Sequence, residues 1–458
     1  WDGARRRDPI EQAMELALSL GDFIGYGASW EFVSRLEEVE RDIAELLSAE
    51  PARAIDLYET FVAGCYEKAE EIDDSSGSFG MFVQDLFRGW IRARQSAGSD
   101  AEETARMLLG WMDNDDYGFC YQLEREAAKV LTKKELSALA FQVRARFEAG
   151  DRAKGRKDAR DNSYRHRYWG QALKTLYAAQ RDVDAYVSLC EETELVPLDC
   201  EILAGILQSR RKPDQALAWV ERGLELQKQA AAGRGASYKL ADMKRALLTK
   251  LDRGSEALAS AWSEFEKYPS RSAYDQLMKY VPKGERAAWH DKAINASAQA
   301  DLNSVIELWL ATKETERLVE RLRAASHEEL ESLSHYRTEP AAKKLLRSHP
   351  DIAAKVYRAL GMRILNAKKS RYYDAALSNF EQAKRCYRKA GLDAAWNELA
   401  GDIRRNHGRK SSFMPGFERL VQGKKPDATP SFRDRTQHRK GSWTRRGRSE
   451  NDVDEEDA

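Results

Sequence analysis

Apolar and polar positions alternate along most of the chain with a period of three to four residues. The stretch 373–391 is an example, because its apolar and small side chains mark one face of a helix that ends at a glycine. No run of alternating β-branched residues predicts a strand. We therefore predict an all-α protein with helices at residues 11–20, 29–47, 50–72, 79–95, 100–112, 119–129, 132–149, 163–179, 181–193, 198–209, 213–232, 237–249, 254–267, 270–279, 284–297, 301–311, 313–324, 326–335, 338–347, 349–367, 371–390 and 392–406.

Four segments share a pattern that indicates degenerate repeats. Each opens on a polar turn and then places small or aromatic residues three or four positions apart, at 181–192, 212–226, 253–269 and 370–391. Small residues let a neighbouring helix approach, and stacked helical hairpins bury a continuous core in this way. We predict a tetratricopeptide-like α-solenoid of degenerate helical hairpins. A compact, irregular all-α domain is the alternative, because the spacing between the segments is not constant.

The distribution of charge suggests how the chain is divided. The formal net charge is zero, but residues 1–150 hold 17 Lys and Arg against 30 Asp and Glu, whereas residues 151–458 hold 58 against 45. The end of the chain has few aliphatic residues and is expected to be disordered. The predicted regions are an N-terminal helix and Gly-rich linker (1–28), an acidic helical region (29–150), a basic helical-repeat region resembling tetratricopeptide hairpins (151–420) and a disordered charged tail (421–458).

Composition also bears on the compartment. No apolar run approaches the roughly eighteen residues that cross a bilayer, and no charged-then-apolar leader opens the chain. The five cysteines are scattered and form no Cys-x-x-Cys pair, which favours reduced core residues in a cytoplasmic protein. Because the chain begins with Trp1 rather than methionine, it is interpreted as a fragment or a processed product.

A basic stretch with interleaved aromatic residues, 152–177, is the strongest candidate for contact with nucleic acid. Lys and Arg neutralise phosphates, and aromatic rings stack on bases. The basic tail at 433–448 is a second candidate, for nucleic acid or an acidic partner. For the stretch 152–177, the alternative is a charged loop that leads into a helix whose aromatic residues belong to the core. For 433–448, the alternative is a tail that only increases solubility. The predicted contact residues are Arg152, Lys154, Arg156, Lys157, Arg160, Arg165, Arg167, Tyr168, Arg439, Lys440, Arg445 and Arg446.

Two acidic turns carry clustered carboxylates of the kind that binds divalent cations. One holds Asp73 and Asp74, and the other holds Asp113, Asp115 and Asp116. Neither matches the calcium-loop pattern, and Asp side chains also cap helices and stabilise turns without a ligand. Capping is therefore the favoured interpretation of both turns.

Candidate catalytic and metal-binding patterns are few. His327, Glu331 and His335 share a predicted helix face, where a solvated surface is favoured over a metal site. The sequence contains no phosphate-binding glycine motif and no nucleophile elbow. We predict a non-enzymatic protein with no metal and no cofactor.

Several stretches resemble a family of uncharacterised bacterial helical proteins. They are DDSSGSFGMFVQDLFRGW (73–90) with the preceding helix at 50–62, then 111–123 and 164–189. Some relatives of that family carry a SWIM-type zinc finger upstream, and the run HGRKSSFMPGFERL (407–420) is similar to the end of such proteins. The resemblance implies a helical-repeat fold and an interaction role. The finger's Cys-x-Cys and Cys-x-His ligands do not occur in this sequence, so a finger would precede it.

These observations lead to two functional hypotheses of different classes. The first is a non-enzymatic cytoplasmic scaffold that binds a protein or peptide along a helical-repeat surface. The alternative is a nucleic-acid-associated accessory protein, the helical portion of a SWIM zinc-finger protein. A hydrolase would require Asp73, Asp115 and Asp116 to converge in one pocket. The sequence leaves the partner and the oligomeric state open.

Overall fold

The structure is a computed structural model that describes residues 8–19, 23–152, 159–229 and 239–424, with side chains described for the same residues except 150–152 and 159–163. Four short 3-10 helices lie at Ala69–Glu71, Lys283–Glu285, Ser297–Gln299 and Ser370–Tyr372. The described residues form 23 α-helices: α1 (Pro9–Leu18), α2 (Tyr26–Glu45), α3 (Pro51–Lys68), α4 (Ser78–Ser96), α5 (Ala101–Asp113), α6 (Leu123–Val130), α7 (Lys133–Arg152), α8 (Ala159–Gln180), α9 (Val183–Glu192), α10 (Pro197–Ser209), α11 (Pro213–Gln229), α12 (Leu240–Lys250), α13 (Gly254–Lys267), α14 (Arg271–Tyr280), α15 (Arg286–Ala296), α16 (Leu302–Thr312), α17 (Thr315–Ala324), α18 (His327–Ser332), α19 (His335–Leu345), α20 (Pro350–Asn366), α21 (Tyr373–Lys389), α22 (Asp393–His407) and α23 (Met414–Gln422).

The predicted all-α helical-repeat fold is confirmed. Within the described ranges no strand forms, and the one strand-like contact is an isolated bridge between Ile24 and Ile72. Helix α23 was not predicted from the sequence. The predicted tail lies outside the described residues from position 425 onward, and its first two residues belong to α23.

Local chemistry explains where many of the helices begin and end. Asp100, Asp182 and Asp301 accept hydrogen bonds from backbone N–H groups of the first turns of α5, α9 and α16. These side chains satisfy donors that have no partner inside the helix. Gly391 and Gly423 follow α21 and α23 with φ of 71° and 76°, a conformation that glycine adopts without a steric penalty.

The described residues up to Arg253 form one compact unit, and those from Gly254 form a second. In the first unit, helices that are neighbours in sequence pack as hairpins, including α3 with α4, α7 with α8 and α10 with α11. In the second, α13 packs with α14 and α20 packs with both α19 and α21. Each unit has its own large apolar core.

The predicted boundary between residues 150 and 151 lies inside the first unit. Residue 150 belongs to α7, which packs directly against α8. The boundary was inferred from a change in charge, and surface charge does not report which helices share a core. The packing instead separates the chain after Arg253.

All five cysteines are buried and unpaired, which confirms that they are reduced core residues. Burial raises the pKa of the Cys120 and Cys190 thiols to about 12 in each case. These thiols are therefore protonated at neutral pH and poorly reactive. Of the described helices, none is both long enough and apolar enough to cross a bilayer.

Candidate functional site

A groove lies between α2 and α4 in the first unit, and Tyr58 of α3 forms part of its floor. A cleft in this groove encloses a volume of about 390 Å³. Because α3 reverses the chain between them, α2 and α4 run side by side in the same direction. The lining residues of this cleft are Glu37, Glu40, Arg41, Ala44, Leu47, Tyr58, Phe82, Asp85, Arg88, Gly89 and Arg92.

Helix α2 presents one continuous face along the groove. Tyr26, Trp30, Glu37, Arg41 and Ala44 are separated by three, four or seven residues and therefore share a face. The last three line the cleft. The first two lie at the N-terminal end, where their side chains are 64% and 74% exposed.

Helix α4 presents a matching face. Met81, Asp85, Arg88 and Arg92 are separated by three or four residues. Asp85 and both arginines line the cleft, while Met81 is 58% exposed at the N-terminal end of the helix. Both walls thus change from apolar to charged in the same direction. We call the whole surface, from Tyr26 to Ala44 on α2 and from Met81 to Arg92 on α4, the α2–α4 groove.

One ring contact and a pair of backbone hydrogen bonds connect the N-terminal ends of α2 and α4. The rings of Phe32 and Phe79 lie with their centroids 6.1 Å apart. Ahead of α2, the Ile24 N–H donates to the Glu71 carbonyl at 2.9 Å, and the Asp73 N–H donates to the Ile24 carbonyl at 2.8 Å. These contacts tie the start of α2 to the segment that leads into α4.

The floor of the cleft depends on one tyrosine and one glycine. Tyr58 is fully buried, and its hydroxyl donates to Glu40 Oε1 at 3.0 Å. Helix α4 reaches Tyr58 closely because position 89 is glycine, where a Cβ atom would lie 2.3 Å from the tyrosine ring. Burial raises the pKa of Glu40, and the hydrogen bond from Tyr58 opposes this shift only in part.

The charged groups of the cleft carry both signs. Arg88 is paired with Asp85 one turn earlier on α4 and also lies 3.4 Å from Glu126 of α6. Arg92 is exposed at the far end of the same stripe. Such a mixture is suited to polar and charged groups of a partner rather than to a single anion. The cleft contains three carboxylates and three guanidiniums, from Glu37, Glu40, Asp85, Arg41, Arg88 and Arg92.

One acidic turn caps a helix, and the other is stabilised by its own aspartate. Asp74 accepts from the N–H groups of Phe79 and Gly80 at 2.9 and 2.8 Å, at the start of α4. Asp115 accepts in the same way from Phe119 and Cys120 at 2.9 and 2.7 Å. Helix capping is confirmed for the first turn, whereas Asp115 stabilises a turn that lies ahead of α6. Among the residues that the structure describes, no group of three or more His, Cys, Asp or Glu side chains is placed to hold a metal ion.

The histidine-containing face at 327–335 takes part in packing between helices. Glu331 of α18 accepts from Arg358 at 3.2 Å and from Asn366 at 2.8 Å, both on α20. His335 lies at the start of the next helix, with Nδ1 3.3 Å from the Arg363 guanidinium. These polar contacts join α18 and α19 to α20.

The structure separates Tyr168 and Trp169 of the basic stretch from its charges, whereas Tyr164 is exposed beside them. Arg165 and Arg167 are exposed, whereas Tyr168 is half-buried against the first core and Trp169 is 4% exposed. Burial raises the pKa of Tyr168, and its ring meets Trp169 edge to face at 4.8 Å. Stacking on a base would require Tyr168 to leave this packing. The remaining predicted contact residues lie outside the part of the chain that the structure describes. They are the side chains of Arg152 and Arg160, and all of Lys154, Arg156, Lys157, Arg439, Lys440, Arg445 and Arg446.

Sequence reasoning missed the α2–α4 groove. The signal was present in part, since Tyr26 and Trp30 lie off the apolar stripe that marks the buried face of α2. The exposure of these two side chains, and their position beside the matching stripe on α4, depend on how the helices pack against each other.

Comparison with known proteins gives a family and one similar fold. The model of a family of unknown function, DUF6880, matches residues 16–415. A search of curated proteins finds no match. Among solved structures, the chain is similar to a circular tandem repeat protein with novel repeat topology and enhanced subunit contact surfaces, at 13% identity over 90% of this chain and 96% of that one. The TM-score of that alignment is 0.18, so it supports no conclusion about this chain.

Proposed function

The chain belongs to the DUF6880 family of unknown function, and we propose that it is a non-enzymatic interaction protein that binds a segment of a partner protein in the α2–α4 groove. One observation carries the proposal. Exposed aromatic and methionine side chains near the N-terminal ends of α2 and α4 lie on the same helix faces that, further along, line a cleft of mixed charge. Aromatic residues, Met and Arg are the side chains enriched at protein interfaces.

The dimensions of the groove suit a peptide. From Tyr26 to Ala44, helix α2 advances about 27 Å at 1.5 Å per residue. A helix of about eighteen residues or an extended strand of about eight spans that distance. Two parallel helices that flank a groove can hold a partner segment by its apolar anchors and orient it by its charges.

The lining of the cleft is suited to binding. It combines arginines and carboxylates with one tyrosine and a few apolar side chains. Glu40, the carboxylate whose pKa burial raises, already accepts a hydrogen bond from the floor residue Tyr58. The arginines offer planar groups that bind carboxylates of a partner in a defined geometry.

Selection from a library of displayed random 16-residue peptides on the full chain tests the proposal. We expect selected peptides to carry an aromatic or aliphatic anchor near one end and charges of both signs elsewhere. Each should bind a Trp30→Ala, Met81→Ala variant at least tenfold more weakly, since an interface anchor of this kind contributes about 2 kcal/mol or more.

The matched control is Phe141→Ala. Phe141 is an aromatic residue that is 78% exposed, comparable to Trp30 at 74%, but it lies on α7 and so on neither helix of the groove. Peptides should bind this variant as they bind the unmodified protein. Peptides whose affinity falls equally with both variants, or with neither, would contradict the proposal.

An alternative proposal follows from the basic residues and the resemblance to SWIM-associated proteins. In it, the protein is a cytoplasmic accessory factor that associates with nucleic acid beside a zinc finger located upstream. The exposed side chains of Arg165 and Arg167 on α8 support it. It predicts binding that weakens steeply as salt concentration rises.

A further inference from the structure

Two tryptophans of the second unit form a corner that holds an ammonium group. Trp262 lies on α13 and Trp289 on α15, and their rings meet edge to face with centroids 5.5 Å apart at 70°. The Nζ atom of Lys292 lies 3.9 Å from the centroid of Trp262 and 4.2 Å from that of Trp289. One cation is thus shared by two indole rings.

The rings of this corner are held from behind. Trp262 stacks on Phe265, which is fully buried in the second core, with centroids 5.9 Å apart. The Nε1–H group of Trp289 donates at 3.1 Å to Glu285, the last residue of the 3-10 helix that precedes α15. Each indole therefore has a fixed orientation that does not depend on Lys292. Both rings are half-buried, so part of the corner faces solvent.

Lys292 occupies the corner without an ion pair. Its side chain is exposed, and no carboxylate among the described residues lies within 4.0 Å of its ammonium group. A cation held at an exposed site by ring faces alone is held weakly, and water competes for it. The lysine can therefore swing into solvent and leave the two rings open.

We propose that the Trp262–Trp289 corner is a binding site for an alkylammonium ligand and that Lys292 is its internal occupant. A quaternary ammonium group is favoured over a free ammonium, because it is less strongly hydrated and its methyl groups pack on the indole faces. Recognition of such groups by aromatic side chains is a general use of the cation–π interaction. The ligand's source is either a methylated lysine of a protein or a small choline-like molecule.

The test is an NMR titration of the full chain carrying ¹⁵N-labelled tryptophan. The ligands are tetramethylammonium, choline and a peptide with one trimethyllysine, each at constant ionic strength. We expect saturable shifts of the Trp289 indole signal, which a Trp289→Phe variant assigns. Lys292→Ala should bind at least fivefold more tightly than the unmodified protein, because the internal competitor is gone.

A second lysine provides a matched control. The Nζ atom of Lys267, on α13, lies 5.1 Å from the ring centroid of one exposed aromatic residue, Tyr268. Lys267→Ala removes a lysine–ring contact of the same kind outside the corner and should leave the affinities unchanged. Trp289→Leu in the Lys292→Ala background keeps an apolar side chain without the indole face and should weaken binding at least tenfold.

The outcomes separate the site from the source of its ligand. The inference is overturned if Lys292→Ala shows no saturable shift with any of the three ligands, or if Trp289→Leu binds as tightly as its parent while circular dichroism shows a folded protein. Binding of the trimethyllysine peptide at least tenfold tighter than choline supports the site and indicates a methylated protein. Equal affinities support the site and indicate a small molecule.

Discussion

At the scale of single residues, the α2–α4 groove depends on the contact between Glu40, Tyr58 and Gly89. Tyr58 has no exposed surface, so its hydroxyl requires a partner, and Glu40 provides one at 3.0 Å. Gly89 provides the space that the tyrosine ring fills. The same contact gives the groove a titratable group, because burial raises the pKa of Glu40.

Replacing Glu40 with glutamine should change how stability depends on pH. The folded-state pKa of Glu40 lies above its ordinary value of 4.5, so folding favours the protonated form between the two values. The stability that this protonation contributes is fully present below the ordinary value and is lost as pH rises through the folded-state pKa. Glu40→Gln removes this dependence, and its amide oxygen still accepts from Tyr58.

Urea unfolding of both proteins at pH 4 and pH 7.5 measures this effect. We expect the free energy of unfolding of Glu40→Gln, relative to the unmodified protein, to be higher at pH 7.5 than at pH 4. A relative stability that is the same at both pH values would show that the pKa of Glu40 is not raised by folding.

Gly89→Ala should destabilise the first unit. The new Cβ would lie 2.3 Å from Tyr58, and overpacking of this kind costs about 1–3 kcal/mol. Gly110→Ala is the control, since an added Cβ meets open space on α5 and removing a helical glycine stabilises by about 0.5–1 kcal/mol. The free energy of unfolding measured by chemical denaturation should therefore decrease for Gly89→Ala and increase for Gly110→Ala. An increase in stability for both would mean that Tyr58 moves aside without cost.

At the scale of the helices, lysines that are distant in sequence complete helix ends in the second unit. Lys355, Lys384, Lys389 and Lys410 donate to backbone carbonyls at or just beyond the C-terminal ends of α17, α23, α19 and α20. The last carbonyls of a helix have no partner inside it, and the helix dipole places partial negative charge there. Each ammonium group therefore satisfies at least one of these acceptors. Lys355, Lys384 and Lys389 lie on helices and so join two helices, whereas Lys410 lies between α22 and α23.

Lys355→Met should weaken the second unit. The Lys355 ammonium donates to the carbonyls of Leu322, Arg323 and Ala325 at 3.1, 2.7 and 2.5 Å, and methionine keeps the apolar stem but removes the donor. Leaving these partly buried acceptors without that partner should cost about 1–3 kcal/mol in the free energy of unfolding.

Lys343→Met serves as its control. Lys343 is exposed on α19 and pairs with Glu339 one turn away, an interaction of about 0.5 kcal/mol or less. Thermal or urea unfolding should show a larger loss of stability for Lys355→Met than for Lys343→Met. Equal effects would indicate that the carbonyl contacts of Lys355 do not contribute more than a surface ion pair.

At the scale of the whole molecule, packing and charge divide the chain differently. The two compact units meet in sequence at Arg253 and Gly254, and each has its own core. The change from acidic to basic composition occurs about a hundred residues earlier, inside the first unit. Core packing is set by apolar side chains, whereas net charge influences association with partners.

The alternative proposal of nucleic-acid association makes a prediction at this scale. The full chain should bind a labelled single-stranded oligonucleotide at low salt, and the logarithm of the binding constant should fall linearly with the logarithm of salt concentration. Replacing Arg165 and Arg167 with glutamine should reduce that slope by about 0.7 for each phosphate that the protein no longer neutralises. Arg385→Gln, at an exposed arginine on α21, is the control. Undetectable binding at low salt, or binding that salt does not weaken, would exclude this alternative.

The sequence pattern predicted most helices but not every boundary. It predicted one helix over 326–335, whereas the chain breaks at Leu333 and Ser334, whose backbones are extended. It also missed α23, a short helix of nine residues with a proline in its first turn. A short segment offers few periodic positions, so the pattern identifies it less securely than a long helix.

By itself, the sequence determined the helices, their buried faces and the role of aspartates in stabilising both acidic turns, because these depend on a period of 3.6 residues and on side chains close in sequence. Only the tertiary structure decided the α2–α4 groove and the tryptophan corner. Glu40, Tyr58 and Gly89 meet from three helices, and Trp262 and Trp289 meet from two. Their encounter depends on how ridges of one helix pack into the grooves of another, which is a property of pairs of surfaces and not of any one segment.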